Sequence, residues 1–437
     1  MSSVLNKAKK KPRKVSDELA AVAEDVVAKG LVKKIGPKKV KPGSKAKKGN
    51  KKKAAPVLST ASELLVIVKK SLPDGEKHRA ALLSDGSPLS DVNEWIPTMF
   101  PAADEILGGG AAVGGGLAVG RISEVYGPEG AGKSAFTHMC AKGCQSIGGT
   151  VVVFDFEAAL DMKKINQLGI DPERLLYLVP DSAEQGAKIL EKAVTALKAK
   201  RPDAPVLFVW DSVAATPMIE ERTKDIKGES YAGAKRAALF STLSRELMLE
   251  LAFARAHVLF VNQERENLKS VGFISEPNVP GGKGIKYAAS QRLRVQKVKT
   301  NKKTVKGKAI ATSYITKLTT KKCRLTPPHQ SVELILDFRH GLSPELSMLH
   351  QMHALDVAKK AKGKFKFKFR EAPVTDDEFR RLMTGMDEES LEFAEQAREA
   401  FLPVVAAANW INADSVSDDD DEDGPANSDE ELDPDVS

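Results

Sequence analysis

From Gly120 to Gln263, continuously apolar runs alternate with stretches of helical spacing. A strand enters at Ile122, Val125 and Tyr126, and helix 133–147 leads to the strand Val151–Glu157. Helix 182–199, strand Val206–Asp211, helix 233–255 and strand Val258–Gln263 follow. Uninterrupted apolar runs are how strands buried on both faces read. Their alternation with helices predicts an α/β fold with a mostly parallel sheet and right-handed crossovers, whose ligands sit beyond the carboxyl ends of the strands. Glu157, Asp211 and Gln263 close three of these runs and fall on that edge.

The pattern changes on either side. Past residue 284, strand-like stretches at 290–299, 312–320 and 331–338 have no helices between them and extend one sheet edge. Residues 345–412 read as a small α+β unit. Leu349, Met352, Leu355 and Val357 mark a helix, Gly363–Phe369 alternates Phe with Lys, and 376–402 is helical again. The alternation fits a half-buried strand better than a base-stacking platform. Upstream, Thr60-Ala-Ser-Glu63 has capping-box spacing and starts a helix near Ala61, which Pro73-Asp-Gly ends. Trp95–Pro101 looks extended, and a glycine-rich approach runs from Leu107 to Gly120.

Charge divides the chain further. Residues 1–56 hold eighteen Lys/Arg against four Asp/Glu, and residues 414–437 hold twelve Asp/Glu and no base. The basic arm cannot bury enough apolar surface to offset its ordering entropy, although Leu19, Val22, Ala23, Val26 and Val27 keep helical spacing. So many lysines in one segment favour phosphate contact with DNA over a solubilising tail. The expected organisation is a basic disordered arm (1–56), a helical region offering a subunit contact (57–94), an α/β core (95–344), a small C-terminal domain (345–412) and an acidic tail (413–437). Cys140, Cys144 and Cys323 are too few for a disulfide framework, which points to a reducing compartment. No apolar run reaches the length of a membrane span and the lysine-rich N-terminus has no signal-peptide core, so the expected location is cytoplasmic.

The chemistry concentrates at Gly127-Pro128-Glu129-Gly130-Ala131-Gly132-Lys133-Ser134, which is G-x-x-x-x-G-K-S between a strand and a helix. Its glycines let successive N–H groups and the helix N-terminus face a phosphate. Lys133 would reach the β- and γ-phosphates of ATP, and Ser134 with Asp211 would hold Mg²⁺. Glu157 is placed to orient or deprotonate a water in line with the γ-phosphate, and Gln263 to sense that phosphate. Two long, charged, glycine-bearing loops, 220–232 and 264–280, follow Asp211 and Gln263 at this edge, where such loops are usually functional.

Gly127–Ser134, Val153–Asp161, Phe208–Ser212, Phe260–Gln263 and Pro280–Leu293 resemble, in order and spacing, the bacterial RecA recombinases. The resemblance covers about residues 95–412 and extends to the acidic tail. It implies a RecA-like core and a DNA-dependent ATPase that forms helical filaments on single-stranded DNA and exchanges it with homologous duplex in recombination and repair. Glu157 would be the catalytic carboxylate and Gln263 the switch, with Asp161 beside the nucleotide. The loops would bind DNA through Arg265, Phe273, Gly281 and Gly282, helped by Arg236 and Arg245. Lys286 and Tyr287 would couple neighbouring subunits, and mediator or repressor proteins are further expected partners. The family places two lysines, two residues apart, across the interface on ATP. Lys321 matches the first, Cys323 takes the second place, and Lys322 and Arg324 flank it, so Arg324 could supply the missing charge. Lys164 stands where an aromatic usually stacks on adenine, and Phe156 replaces a small residue beside Glu157. With the long basic arm, these departures suggest a divergent or phage-type member. A ring-shaped helicase or repair motor on the same core, and a nucleotide-gated DNA-coating protein with little turnover, are the alternatives.

Overall fold

The structure, a computed structural model, describes residues 61–87, 89–110, 115–223, 232–264, 279–305 and 308–414. The segment around Leu19, the acidic tail, Arg265 and Phe273 lie outside them. Helix α1 (Ala61–Ser71) begins where the capping pattern puts it. Strands β1 (Trp95–Ile96) and β2 (Leu117–Ala118) pair antiparallel around α2 (Pro101–Leu107), a helix the extended-looking Trp95–Pro101 did not announce. The α/β alternation then runs β3 (Ile122–Gly127), α3 (Lys133–Ser146), β4 (Thr150–Asp155), α4 (Met162–Leu168) and β5 (Leu175–Leu178). It continues with α5 (Ala183–Lys200), β6 (Val206–Asp211), α6 (Ile219–Thr223), α7 (Ala232–Ala254), β7 (Ala256–Gln263) and α8 (Gly282–Ala288). Antiparallel β8 (Gln291–Val305), β9 (Lys308–Cys323), β10 (Ser331–Asp337) and β11 (Gly341–Ser343) complete the sheet.

The nine strands lie in the order β11-β10-β9-β8-β3-β7-β6-β4-β5, with β8 through β5 parallel. Helices α2 and α3 pack on one face of the sheet, and α5, α7 and α8 on the other. The centre of the second face is Trp210, which is fully buried. It stacks on Phe154 at 5.3 Å and on Phe156 at 4.9 Å, and its indole N–H donates to the Thr216 hydroxyl at 2.9 Å. Phe156, an oddity beside Glu157 in sequence, is thus an anchor that packs the strand end onto Trp210.

Beyond β11, α9 (Pro344–Ala354) leads to a three-stranded antiparallel sheet, β12 (Ala358–Ala361), β13 (Lys364–Phe367) and β14 (Arg370–Val374). Helices α10 (Asp376–Leu382) and α11 (Glu388–Asp414) follow. Phe365 and Phe367 point inward, and Phe367 stacks on Phe379 at 5.8 Å. The Phe/Lys alternation is therefore a half-buried strand, with Lys364, Lys366 and Lys368 on its exposed side.

Under the phosphate-loop strand lies a buried ion pair. Arg292 Nε on β8 donates to Glu124 Oε2 on β3 at 2.5 Å, with both side chains nearly inaccessible (6% and 2% exposed). The guanidinium sits 4.4 Å over the Tyr126 ring, and the Asn262 amide donates to the other Glu124 oxygen at 3.1 Å. Removing one partner of such a pair strands a charge in low dielectric and costs about 3–5 kcal/mol, whereas replacing both with apolar residues can be neutral. We predict that Arg292→Met loses about that much in urea unfolding and that the double variant Glu124→Leu/Arg292→Met recovers most of it. Equal losses in single and double variants would contradict the pairing.

Candidate nucleotide site

Strand β3 ends at Gly127, where the chain passes so close to β8 that a Cβ would lie 2.0 Å from the Val295 carbonyl oxygen. The loop ends at Gly132, left-handed at φ 103°, from which α3 starts. Two side chains of β9 brace it from outside. The Tyr314 hydroxyl donates to the Gly130 carbonyl and the Thr316 hydroxyl to the Ala131 carbonyl, both at 2.9 Å. In a trans peptide the C=O and N–H point oppositely, so fixing these carbonyls toward β9 aims the following N–H groups at the other side. Lys133 is buried, and its ammonium donates to the Gly127 and Pro128 carbonyls at 3.0 and 2.7 Å. Burial lowers its pKa, against the pull of Asp211, Glu157, Glu129 and Glu264.

Three carboxylates meet at the ends of β4 and β6. Asp155 accepts from the Glu157, Ala159 and Leu160 N–H groups at 3.0, 3.0 and 3.1 Å and from the Tyr177 hydroxyl at 3.1 Å, which shapes the loop that presents Glu157. Glu157 Oε1 accepts from the Ser212 hydroxyl and from the Gln263 amide, the latter at 3.1 Å. Asp211 is hydrogen-bonded by Ser134; burial first, then Glu157 and Asp155, push its pKa from 3.8 to about 7. Among the described residues no three acidic, His or Cys side chains form a metal-holding group, so Ser134 and Asp211 would offer Mg²⁺ only part of its oxygen shell, the rest coming from phosphate and water.

The other expected site residues scatter. Asp161 caps α4, accepting from the Lys163 N–H at 2.9 Å, and Lys164 lies exposed on that helix. Arg236 donates to both oxygens of Glu221 at 3.0 and 2.8 Å and is largely covered, while Arg245 is exposed. Gly281 and Gly282, both left-handed, start α8 against α7; Tyr287 near its end is 60% exposed. Lys322 Nζ donates to the Lys286 and Tyr287 carbonyls at 2.8 and 2.9 Å, and Arg324 to the Tyr287 carbonyl at 3.0 Å. Two bases two residues apart therefore share the end of α8. Lys321, the extra residue in a bulge between the pairs Arg292–Lys322 and Leu293–Thr320, has no ion pair among the described residues. Cys323 Sγ instead faces the Leu107 carbonyl at 3.5 Å.

Sequence reasoning missed Asp155, Ser212 and Tyr177, although the Asp155-x-Glu157 spacing at a strand end was a usable signal. It also missed how the second loop begins. The Glu264 N–H donates to the Gly127 carbonyl at 3.0 Å, and its carboxylate pairs with Arg294. At the return of the loop, Asn262 donates to the Pro280 carbonyl at 2.7 Å.

A strand–loop–helix of this kind at the carboxyl edge of a parallel sheet, with acidic side chains on the neighbouring strand ends, defines the phosphate-loop class of α/β proteins. A family model described as the RecA N-terminal domain matches residues 96–343. Protein RecA of Symbiobacterium thermophilum is 34% identical over 273 residues, which span 62% of this chain and 73% of that protein. Protein RecA of Bifidobacterium breve is 33% identical over 317 residues, 72% of this chain and 74% of its own length. Among solved structures, that of the RadB recombinase aligns with 56% of this chain and 98% of its own at 18% identity and a TM-score of 0.40. The chain belongs to the RecA family, at about one-third identity to these two RecA proteins. Among the described residues, no helix is long and apolar enough to cross a membrane.

Folding raises the Asp211 pKa, so its ionisation opposes folding. The stability difference between Asp211→Asn and the parent should be near zero around pH 4. It should grow in favour of the variant up to pH 7–8, by at most about 4 kcal/mol. Urea unfolding without nucleotide at pH 4, 6 and 8 measures it; a difference that does not change with pH would reject the raised pKa.

Proposed function

We propose that this chain is a DNA-dependent ATPase that polymerises on single-stranded DNA and promotes homologous pairing and strand exchange. The observation that carries the reading is the Glu157–Gln263 hydrogen bond of 3.1 Å. It joins the carboxylate that would handle the attacking water to the last residue before the 264–280 loop. A γ-phosphate would compete for the Gln263 amide and shift the start of that loop, which Glu264 ties directly to Gly127. Occupancy of the phosphate loop and the conformation of the DNA loop would thereby be linked.

In this reading the backbone N–H groups of 130–133 and the Lys133 ammonium hold the β- and γ-phosphates. Glu157 orients the water in line and takes its proton, while Ser212 and Gln263 keep its carboxylate aimed. Ser134 and Asp211 would hold Mg²⁺, whose charge offsets that of the phosphates. Lys322 and Arg324, rather than Lys321 and Cys323, are the bases we assign to the nucleotide of a neighbouring subunit. Their support is the shared contact with Lys286 and Tyr287, the expected interface pair. Assembly is further supported by α1, on which Leu64, Ile67 and Val68, at i, i+3 and i+4, are exposed (49%, 52% and 37%), an apolar face that suits a second copy of the chain. Arg245, Gly281 and Gly282 remain proposed DNA contacts with Arg265 and Phe273; Arg236 could join them only by leaving Glu221.

Lys133→Ala should abolish ATP binding, whereas Glu157→Ala should bind ATP and lose about 10²–10⁴ in turnover. Fluorescent-nucleotide titration and steady-state ATPase with and without single-stranded DNA test both. Near-normal kcat in the Glu157 variant would remove that residue from the mechanism, and turnover indifferent to DNA would remove the recombinase reading. Arg324→Ala should leave nucleotide binding by isolated subunits intact and depress only the DNA-stimulated rate. Loss of binding at high dilution would mean that the arginine acts within its own subunit.

A further inference from the structure

We propose that Tyr177 is a positioning residue for hydrolysis: from edge strand β5 its hydroxyl holds the Asp155 carboxylate, and through it the tight turn that presents Glu157. Its role rests on Glu157 handling the attacking water, as proposed above, and adds a residue that no pattern in the sequence marks. The turn itself is strained. Ala158, which follows Glu157, is left-handed at φ 50°, a conformation that a residue with a Cβ keeps only where its surroundings hold it there. A single carboxylate does the holding. Asp155 Oδ1 accepts from the Glu157 N–H at 3.0 Å, and Oδ2 from the Ala159 and Leu160 N–H groups at 3.0 and 3.1 Å. One side chain thus bonds the backbone on both sides of Ala158, and where Asp155 turns, Glu157 turns with it.

Those three bonds come from the turn that Asp155 closes and would rotate with it. The Tyr177 hydroxyl, donating to Oδ2 at 3.1 Å, ties the carboxylate to the sheet instead. Strand register gives Tyr177 this reach. Strand β5 runs parallel to β4 with Tyr177 opposite Val153, so Val153, Asp155 and Tyr177 point to the same face. Asp155 lies two residues further along, roughly 7 Å at the rise of a strand. A tyrosine hydroxyl spans that step, whereas a phenylalanine ring in the same place stops short of the bond.

Packing alone does not fix the carboxylate. Beneath the turn, Ser134, Thr137, His138, Asp155, Leu160 and Asp211 line a cavity of about 40 Å³. A water-sized group needs about 10–15 Å³ of such space, so a carboxylate oxygen has room to swing inward once its outer tie is cut. The Tyr177 ring is 41% exposed and β5 pairs with β4 alone, so the ring adds little packing and the hydroxyl is the part that acts. Partial burial of that hydroxyl, and then the Asp155 charge, raise its pKa, which keeps it a donor through neutral pH.

The test is single-turnover ATP hydrolysis by the full chain at saturating single-stranded DNA, with fluorescent-nucleotide affinity measured beside it. The variants are Tyr177→Phe, Glu157→Gln and the two combined. Losing one hydrogen bond to a charged group should slow Tyr177→Phe roughly tenfold, with nucleotide affinity and circular dichroism matching the parent. In the Glu157→Gln background the same substitution should cost nothing further, because no carboxylate is left to aim. A parent-like rate in Tyr177→Phe, or an equal loss on both backgrounds, would overturn the proposal. So would weaker nucleotide binding at an unchanged rate, which would reassign Tyr177 to holding ATP. Near-parent hydrolysis by Glu157→Gln would sink the reading of Glu157 and the positioning role with it. Slow hydrolysis by Glu157→Gln beside a normal rate in Tyr177→Phe would sink the positioning role alone.

Discussion

Three carboxylates share one strand edge, and the cost of ionising a carboxyl buried there is the constraint around which the site is built. Burial first, and then the like charges of Glu157 and Asp155, hold Asp211 up to about 7. The chain answers by giving each acid a different environment. Asp155 is saturated by three backbone N–H groups and a phenol, and so becomes a structural post. Glu157 keeps two neutral donors, Ser212 and Gln263, that can let it go. Asp211 is left short of counter-charge beside Ser134 and Lys133, where an external cation is most welcome. Different surroundings are how neighbouring carboxylates acquire separate chemistries.

Strand order turns this local arrangement into a connected one. Strand β3 lies between β7 and β8, so the residue leaving β7, Glu264, lands on Gly127, and Arg294 of β8 closes on it from the other side. Beneath them Asn262 holds both Glu124 and the Pro280 carbonyl. The two ends of the 264–280 loop are thus pinned to the strand that carries the phosphate loop, one at each end of a single polar chain.

What could be read from the sequence follows from how each element is buried. The central strands were plain because burial on both faces leaves an unbroken apolar run, as in Val206–Asp211. Strand β5 was invisible for the opposite reason. It pairs only with β4, and Leu176 and Tyr177 are 54% and 41% exposed, so no pattern marks it. The outer parts of β8 and β9 were missed because a ribbon with no third layer needs no apolar face. At the site, Glu157 and Gln263 announced themselves as polar residues ending apolar strands. Ser212 and the Glu264–Arg294 pair did not, since their roles depend on which strands become neighbours. The lysine pair shows the limit most directly. The resemblance points to Lys321 and Arg324; a single bulge on β9 makes Lys321 the extra residue and brings Lys322 with Arg324 to α8, an arrangement set by strand pairing rather than by any pattern in the sequence.

Strand β9 then joins functions that the sequence presents separately. Near its start, Tyr314 and Thr316 fix two carbonyls of the phosphate loop; at its end, Lys322 and Arg324 hold the last carbonyls of α8. A β-strand bonded on both sides is stiff along its length, and protein interiors transmit displacement rather than absorb it. Lys322 feels the crowding at its end, since burial and the nearby Arg324, Arg292 and Lys286 hold its pKa down to about 8. An anion arriving there would relieve that repulsion and loosen its grip on α8, the helix that follows the second loop. The same movement would be felt at Tyr314, eight residues back along the strand. One rigid element therefore touches the phosphate loop, the end of the helix that follows the 264–280 loop and the proposed subunit face. That mechanical economy explains why an edge-side antiparallel strand, usually the most tolerant part of a sheet, carries so many polar contacts here.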